Sequence, residues 1–210
     1  MLLWINGPFG GGKTQTAHEI QRRLPGSVIC DPEHAGFGLR RMLPPGLRGD
    51  FQDLVSWRQG VVEVLDLALS KHDGVVIAPM TVTDSGYFAE TVGRLRERGH
   101  DVRHFALLAA RETVLERLRE RGFGHLLRHV AGKDAPPRRE SWAVEQLDHC
   151  LERLREPEFA EHLWTDHSTV RKTADRIAVL AGLTLRPNNE SAVRNRLRQA
   201  KVGLKHIRFD

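Results

Sequence analysis

Gly7, Gly12, Lys13 and Thr14 fill every fixed position of the pattern G-x-x-x-x-G-K-S/T, a set of residue types that can hold the phosphates of a nucleotide. Glycines let the backbone curl until successive N–H groups point inward at phosphate oxygens. A helix that starts there adds the positive end of its dipole. Lys13 would reach the terminal phosphates, and the Thr14 hydroxyl would ligate Mg2+. The candidate nucleotide-binding residues are therefore Gly7, Phe9, Gly10, Gly11, Gly12, Lys13, Thr14 and Gln15.

A loop of this kind serves switches, motors and kinases alike, and the acids elsewhere separate them. Motor ATPases place Asp or Glu at the end of a neighbouring apolar strand, but here that strand reads GVVIAPMT, with no acid. No Asn-Lys-x-Asp element is present either, which counts against a GTPase. Carboxylates stand instead in Asp31-Pro32-Glu33, directly after Val28-Ile29-Cys30. Ligands of open α/β sheets bind at that carboxyl edge, where Asp31 can accept the proton of an attacking hydroxyl or act through Mg2+. The competing role is capping of a helix that begins near His34. The position favours chemistry for Asp31; capping is the stronger reading for Glu33, which otherwise contacts the acceptor.

Positive charge for the transition state comes from Arg117 and Arg121, four apart on one helix face. Arg119 belongs to the solvated side with Glu116 and Glu120. Arg138 and Arg139 are weaker candidates. Trp57-Arg58 can wall an acceptor pocket, with Arg58 on a polar substrate group and Trp57 stacking or, as the better reading of the indole alone, packing in the core. His125 and His129 have a metal-like spacing without a third ligand nearby and are read as surface.

The elements that must position these residues follow from apolar spacing. Strands are expected at 2–5, 27–30, 74–78, 102–108 and 163–165, separated by helical patterns such as Leu54, Val61, Val62, Leu65 and Leu69. Alternating strands and helices predict a parallel sheet covered on both faces; right-handed crossovers then leave few topologies, and the three-layer fold usual for small P-loop kinases, with strand order 2-3-1-4-5, is the expected one. From Gly122 to about residue 140 the periodicity fails in a glycine-, proline- and arginine-rich run, read as a flap. Arg186-Pro187-Asn188-Asn189 marks the end of the core, so the expected organisation is a domain over 1–182 and an extension over 183–210.

The chain has 210 residues and a net charge of +5, which suits one domain with an appendage. Residues 183–210 carry seven basic residues against Glu190 and Asp210, the whole of that excess. As a helix the tail would align Val193, Leu197, Ala200, Leu204 and Ile207 beside a stripe of Arg194, Arg198, Lys201, Lys205 and Arg208. Such a segment can lie on an anionic membrane or pack its apolar face on the protein. Nucleic acid is not an expected partner, because no interleaved aromatics accompany the charge. The absence of a membrane span or signal segment predicts a cytoplasmic protein, peripheral at the membrane if the tail binds there. Cys30 and Cys150 are expected to be free thiols.

Taken in order, WINGPFGGGKTQTA, DPEHAGFGLR, APMTV, RLRER, SWAVEQLDHC, TDHS and GLKHIRFD resemble the tunicamycin-resistance ATP-binding proteins, relatives of small-molecule and nucleotide kinases. The resemblance runs over nearly the whole chain, with a longer flap at Lys133 to Pro137 as its departure. It implies ATP on Gly10 to Thr14, a catalytic Asp31, charge stabilisation by Arg117 and Arg121, and a lipid-tailed nucleoside antibiotic as partner. Phosphorylation of the drug is the leading expectation. ATP-dependent sequestration, or a metabolic nucleoside, nucleotide or sugar kinase, are the alternatives.

Overall fold

The computed structural model describes residues 1–121 and 147–188, with the backbone alone for 119–121. Five strands, β1 (Leu2–Asn6), β2 (Val28–Ile29), β3 (Val76–Pro79), β4 (Val102–Leu108) and β5 (His162–Trp164), form one sheet in the order β2-β3-β1-β4-β5. Every pairing is parallel, as the alternation of strands and helices predicts. The central strand β1 is apolar except for its last residue and buried along its whole length, because helices cover both of its faces.

Those helices divide by face. Helix α1 (Lys13–Arg23) and the C-terminal α8 (Val170–Leu180) pack Ala17, Ile20, Ala174 and Ile177 against Leu3, Ile5, Phe105 and Leu107. On the other side α3 (Val55–Lys71) brings Trp57, Val61, Val62 and Leu65 onto Leu2, Trp4, Val76 and Ala78. The same face takes Phe88, Val92 and Leu95 from α4 (Ser85–Phe88) and α5 (Arg94–Glu97), which run into one another through a π turn at Ala89–Gly93. Strand β4 alternates accordingly, with Ala106 and Leu108 on one face and Phe105 and Leu107 on the other. Among the described residues the other α-helices are α2 (Glu33–Met42), α6 (Arg111–Arg121) and α7 (Leu147–Arg153). Among the described residues no helix is long and apolar enough to cross a membrane.

The packed body extends past the expected boundary at 182. Leu183 and Leu185 pack on the α1–α8 face, Arg186 exchanges hydrogen bonds with Arg23, and Asn188 donates to the fully buried Glu19 at 2.8 Å. Glu19 also accepts from Arg22 at 2.7 Å. A carboxylate without exposure needs such partners, so residues 183–188 belong to the body on energetic grounds. The flap from 122 to about 140, including His125, His129, Arg138 and Arg139, and the tail from 189 onward lie outside the described residues.

On β4, His104 is 4% exposed between Phe88 and Phe159 and donates from Nδ1 to the Ala160 carbonyl at 3.0 Å. Burial lowers its pKa to about 4, outweighing the stabilising bond to Ala160, and Arg96 and His162 add to the depression. An unfolded histidine titrates near about 6.5, so between those values the unfolded chain binds the extra proton. Stability is then full above pH ~6.5 and falls as pH drops towards ~4, by about 1.4 kcal/mol per unit. Urea unfolding at pH 7 and pH 5 checks this: the midpoint falls on acidification, and His104→Leu flattens that slope.

Candidate active site

The loop from Gly7 to Gly12 leaves the carboxyl end of β1 and is fixed there by one buried side chain. Asn6 donates to the Val82 carbonyl at 2.8 Å and, through Oδ1, accepts from the amides of Gly7 at 2.8 Å and Val82 at 3.0 Å. Thr81 adds a hydrogen bond to the Gly7 carbonyl at 2.9 Å. The start of the loop is thus bolted to the segment after β3, the place where the expected acid is missing. Inside the loop Gly11 closes on Pro8 by a 2.9 Å amide–carbonyl bond. Gly10 and Gly12 have φ of +78° and +92°, values at which a side chain would be strained.

Helix α1 begins at Lys13 with no side-chain cap and no acid in its first turn. A helix start of that composition, with the glycine loop curled beside it, suits an anion held by backbone amides. Lys13 is almost buried; its Nζ donates to the Pro8 carbonyl at 3.0 Å and lies 5.5 Å from the centre of the Phe9 ring. The ammonium therefore sits over the loop. Thr14 is half-buried on the first turn, while Gln15 is buried. These residues fit a nucleotide: the loop supplies amides and a cation for phosphates, and the Thr14 hydroxyl is a hard oxygen ligand of the kind Mg2+ takes alongside phosphate. Among the described residues no group of three or more His, Cys, Asp or Glu could hold a metal.

Two other elements close around the loop. Helix α6 touches it, since a Cβ on Gly10 would meet Leu118 Cγ at 2.9 Å. One residue earlier, Arg117 donates to the Thr165 carbonyl at 2.6 Å and to its hydroxyl at 3.0 Å. Arg117 is thus tied to the end of β5, a partner that helix spacing did not predict, and the side chain of Arg121 lies outside the described residues. The neighbouring Asp166 accepts from the Ala110 amide at 2.7 Å and the Thr113 hydroxyl at 2.8 Å, holding the start of α6. Burial pushes its pKa up, but those hydrogen bonds and the Arg117 charge outweigh it, leaving the carboxyl below the usual range. Helix α7 comes close as well: burial raises the Cys150 thiol to about 11, with the Lys13 charge opposing the shift.

Across the sheet, Asp31 follows β2 and is half-buried. Strand β3 alone separates β2 from β1, so the ends of these strands stand about 10 Å apart at ordinary strand spacing. Its Oδ1 accepts from the Glu33 amide at 3.0 Å, the capping role that competes with chemistry. Glu33 is the first residue of α2, as an acid at a helix start should be.

Trp57 and Arg58 both lie inside the wall, and packing is the reading that the sequence favours for the indole alone. Trp57 has no exposure, and its Nε1 donates to the Pro32 carbonyl at 3.0 Å; it pins the backbone beside Asp31. Arg58 is 6% exposed, bonds Glu90 at 2.8 Å and the Gln52 carbonyl, and lies 4.3 Å over the Tyr87 ring. It holds the wall together. Asn6, Thr81, Thr165 and Asp166 were not singled out by sequence reasoning, although Asn6 adjoins the loop and the other three stand in quoted motifs.

Comparison with known proteins agrees with the fold. A family model described as an AAA domain matches residues 2–134. The structure of the Deinococcus radiodurans tunicamycin resistance protein is similar over 89% of this chain and 98% of that one, with 35% identity and a TM-score of 0.71. A sugar kinase from a Janibacter species has 16% identity and a TM-score of 0.55, with 87% and 95% of the two chains covered. The Mycobacterium tuberculosis APS kinase solved with AMPPNP and APS has 15% and 0.54, with 86% and 96% covered. At those identities the last two share the fold. None of the curated proteins matches the sequence.

Asn6→Ala would leave the buried amide of Val82 and its carbonyl without their partner. The variant is expected to lose about 2–4 kcal/mol in urea unfolding and to bind ATP roughly tenfold more weakly in calorimetric titration, one decade being about 1.4 kcal/mol of loop order. An unchanged affinity would show that the bolt does not shape the phosphate loop.

Proposed function

Because the chain belongs to the AAA-domain P-loop family and, within it, to the tunicamycin resistance proteins, we propose that it transfers the terminal phosphoryl group of ATP to a hydroxyl of tunicamycin or a related nucleoside antibiotic. The observation that carries this reading is the Asp31 carboxylate on the same sheet edge as the phosphate loop, with Thr81 rather than an acid at the end of β3. A loop with a carboxylate across the cleft suits a kinase better than a motor.

In the reaction the acceptor oxygen forms a bond to the γ-phosphorus as the bond from that phosphorus to the β,γ-bridging oxygen breaks, and ADP leaves. Asp31 takes the hydroxyl proton. The loop amides and Lys13 hold the phosphates in line and oppose their charge as it shifts to the leaving oxygen. Arg117, seated on Thr165, and Arg121 add positive potential from α6. Mg2+, held through Thr14, would neutralise phosphate charge when bound. Glu33 stays at the rim, where a polar group of the acceptor can meet it.

The capping bond from Asp31 to the Glu33 amide favours one second reading, in which ATP orders a drug-binding cleft and no group is transferred. A mass spectrum of tunicamycin after incubation with the protein, ATP and Mg2+ separates the two: transfer adds one phosphoryl group, and sequestration leaves the mass unchanged with binding intact. Two variants test the roles. Lys13→Ala is expected to abolish nucleotide-dependent activity. Asp31→Asn should keep ATP affinity and lower kcat by roughly two to four orders of magnitude; a near-normal rate would return Asp31 to capping alone.

A further inference from the structure

Helix α3 carries, on its outer side, a set of residues that the site does not use. Val64 is 60% exposed and Leu67 62%, one turn apart. Gly60 stands one turn before Val64, inside a helix, where glycine costs stability relative to alanine. Nothing in the single chain requires it: a Cβ added there would meet no described atom within 4 Å. Glu63 and Lys71 border this stripe, both exposed, and neither forms an ion pair among the described residues. Two turns of helix, about 12 Å along its axis, keep them from bonding each other.

We propose that α3 docks on α3 of a second copy of this chain, the two helices antiparallel about a two-fold axis. In the register that sets Val64 against the partner's Leu67, position 60 of one copy faces position 71 of the other. Lys71 then crosses the partner's Gly60, where no side chain stands in its way, and its ammonium comes within one turn of the partner's Glu63. Symmetry makes each of these contacts twice. What is idle or costly in the single chain is thereby used: the apolar pair leaves water, the glycine lets the helices approach, and opposite charges meet across the contact. A partner of one charge sign would match only Glu63 or only Lys71; a second copy matches both. A single helix face is smaller than a permanent interface, so the dimer is expected to dissociate in the micromolar range. The inference stands apart from the catalytic reading. Trp57 and Arg58 lie on the inner side of the same helix, so the contact would brace the wall behind Asp31 in both copies.

Sedimentation equilibrium of the full chain over about 1 to 200 μM tests it, and the wild type should pass from monomer to dimer in that range. V64E/L67E, which changes only exposed positions, should raise the dimer dissociation constant about tenfold or more, with an unchanged melting temperature at low concentration. Gly60→Leu should do the same without lowering that temperature, since leucine is the better helix former. E63K and K71E should each weaken the dimer, and E63K/K71E together should restore it. A monomer at every concentration, a dimer indifferent to V64E/L67E, or a charge swap that fails to restore association would overturn the proposal. A monomeric wild type that V64E/L67E destabilises would overturn it in favour of a segment of the same chain on this face.

Discussion

The arrangement rests on the side chain of Asn6, which has no exposure and satisfies three backbone groups at once. It stands where β1 stops being a strand and the phosphate loop begins. Without that side chain the amide of Gly7 and both polar groups of Val82 would be buried without this partner, a cost that the apolar interior around them cannot offset. With it, two strand ends become one rigid base. The loop's glycines can then take left-handed conformations without the loop itself being loose, because the freedom they add is removed at its root.

Everything else at the edge is held in relation to that base. Thr81 grips the Gly7 carbonyl from β3. From β5, Thr165 holds Arg117 and Asp166 holds the start of α6, the helix that in turn lies against Gly10. On the far side, Trp57 fixes Pro32 and through it the backbone of Asp31. Apart from the packing of α6 on Gly10, each of these contacts includes a hydrogen bond between a buried or half-buried side chain and the main chain. Such bonds contribute modestly to net stability but are costly to leave unmade, so they specify geometry more than they add strength. The Arg58–Glu90 pair does the same for the wall behind Trp57.

Much of this was legible in the sequence. Apolar runs of strand length between helical stripes predict the parallel sheet, its order is the one usual for small P-loop kinases, and the loop motif predicts a helix at its end, where α1 begins. Trp57 was legible too, in a way that argued against a substrate role: it lies four residues before Val61 and eight before Leu65, in phase with the core stripe of α3. Arg58 is in phase with Val62 in the same manner, and Glu90 on the π turn, the Gln52 carbonyl and the Tyr87 ring explain how a guanidinium is accommodated there. The work of Asn6 and Thr81 was not legible, since it depends on β3 being in register with β1, Ile5 opposite Pro79. A linear sequence does not carry that register. Pro187 and Asn188 read as a linker in the sequence, whereas in the structure the buried charge of Glu19, distant in sequence, draws Asn188 onto α1.

We propose that this edge moves a phosphoryl group from ATP to a nucleoside antibiotic, and not to water. Phosphorus NMR of protein, ATP, Mg2+ and tunicamycin observes that partition directly. The account predicts ADP and a new phosphomonoester resonance growing in equal amounts; ADP appearing only with inorganic phosphate, or ATP persisting while the drug binds, would contradict it.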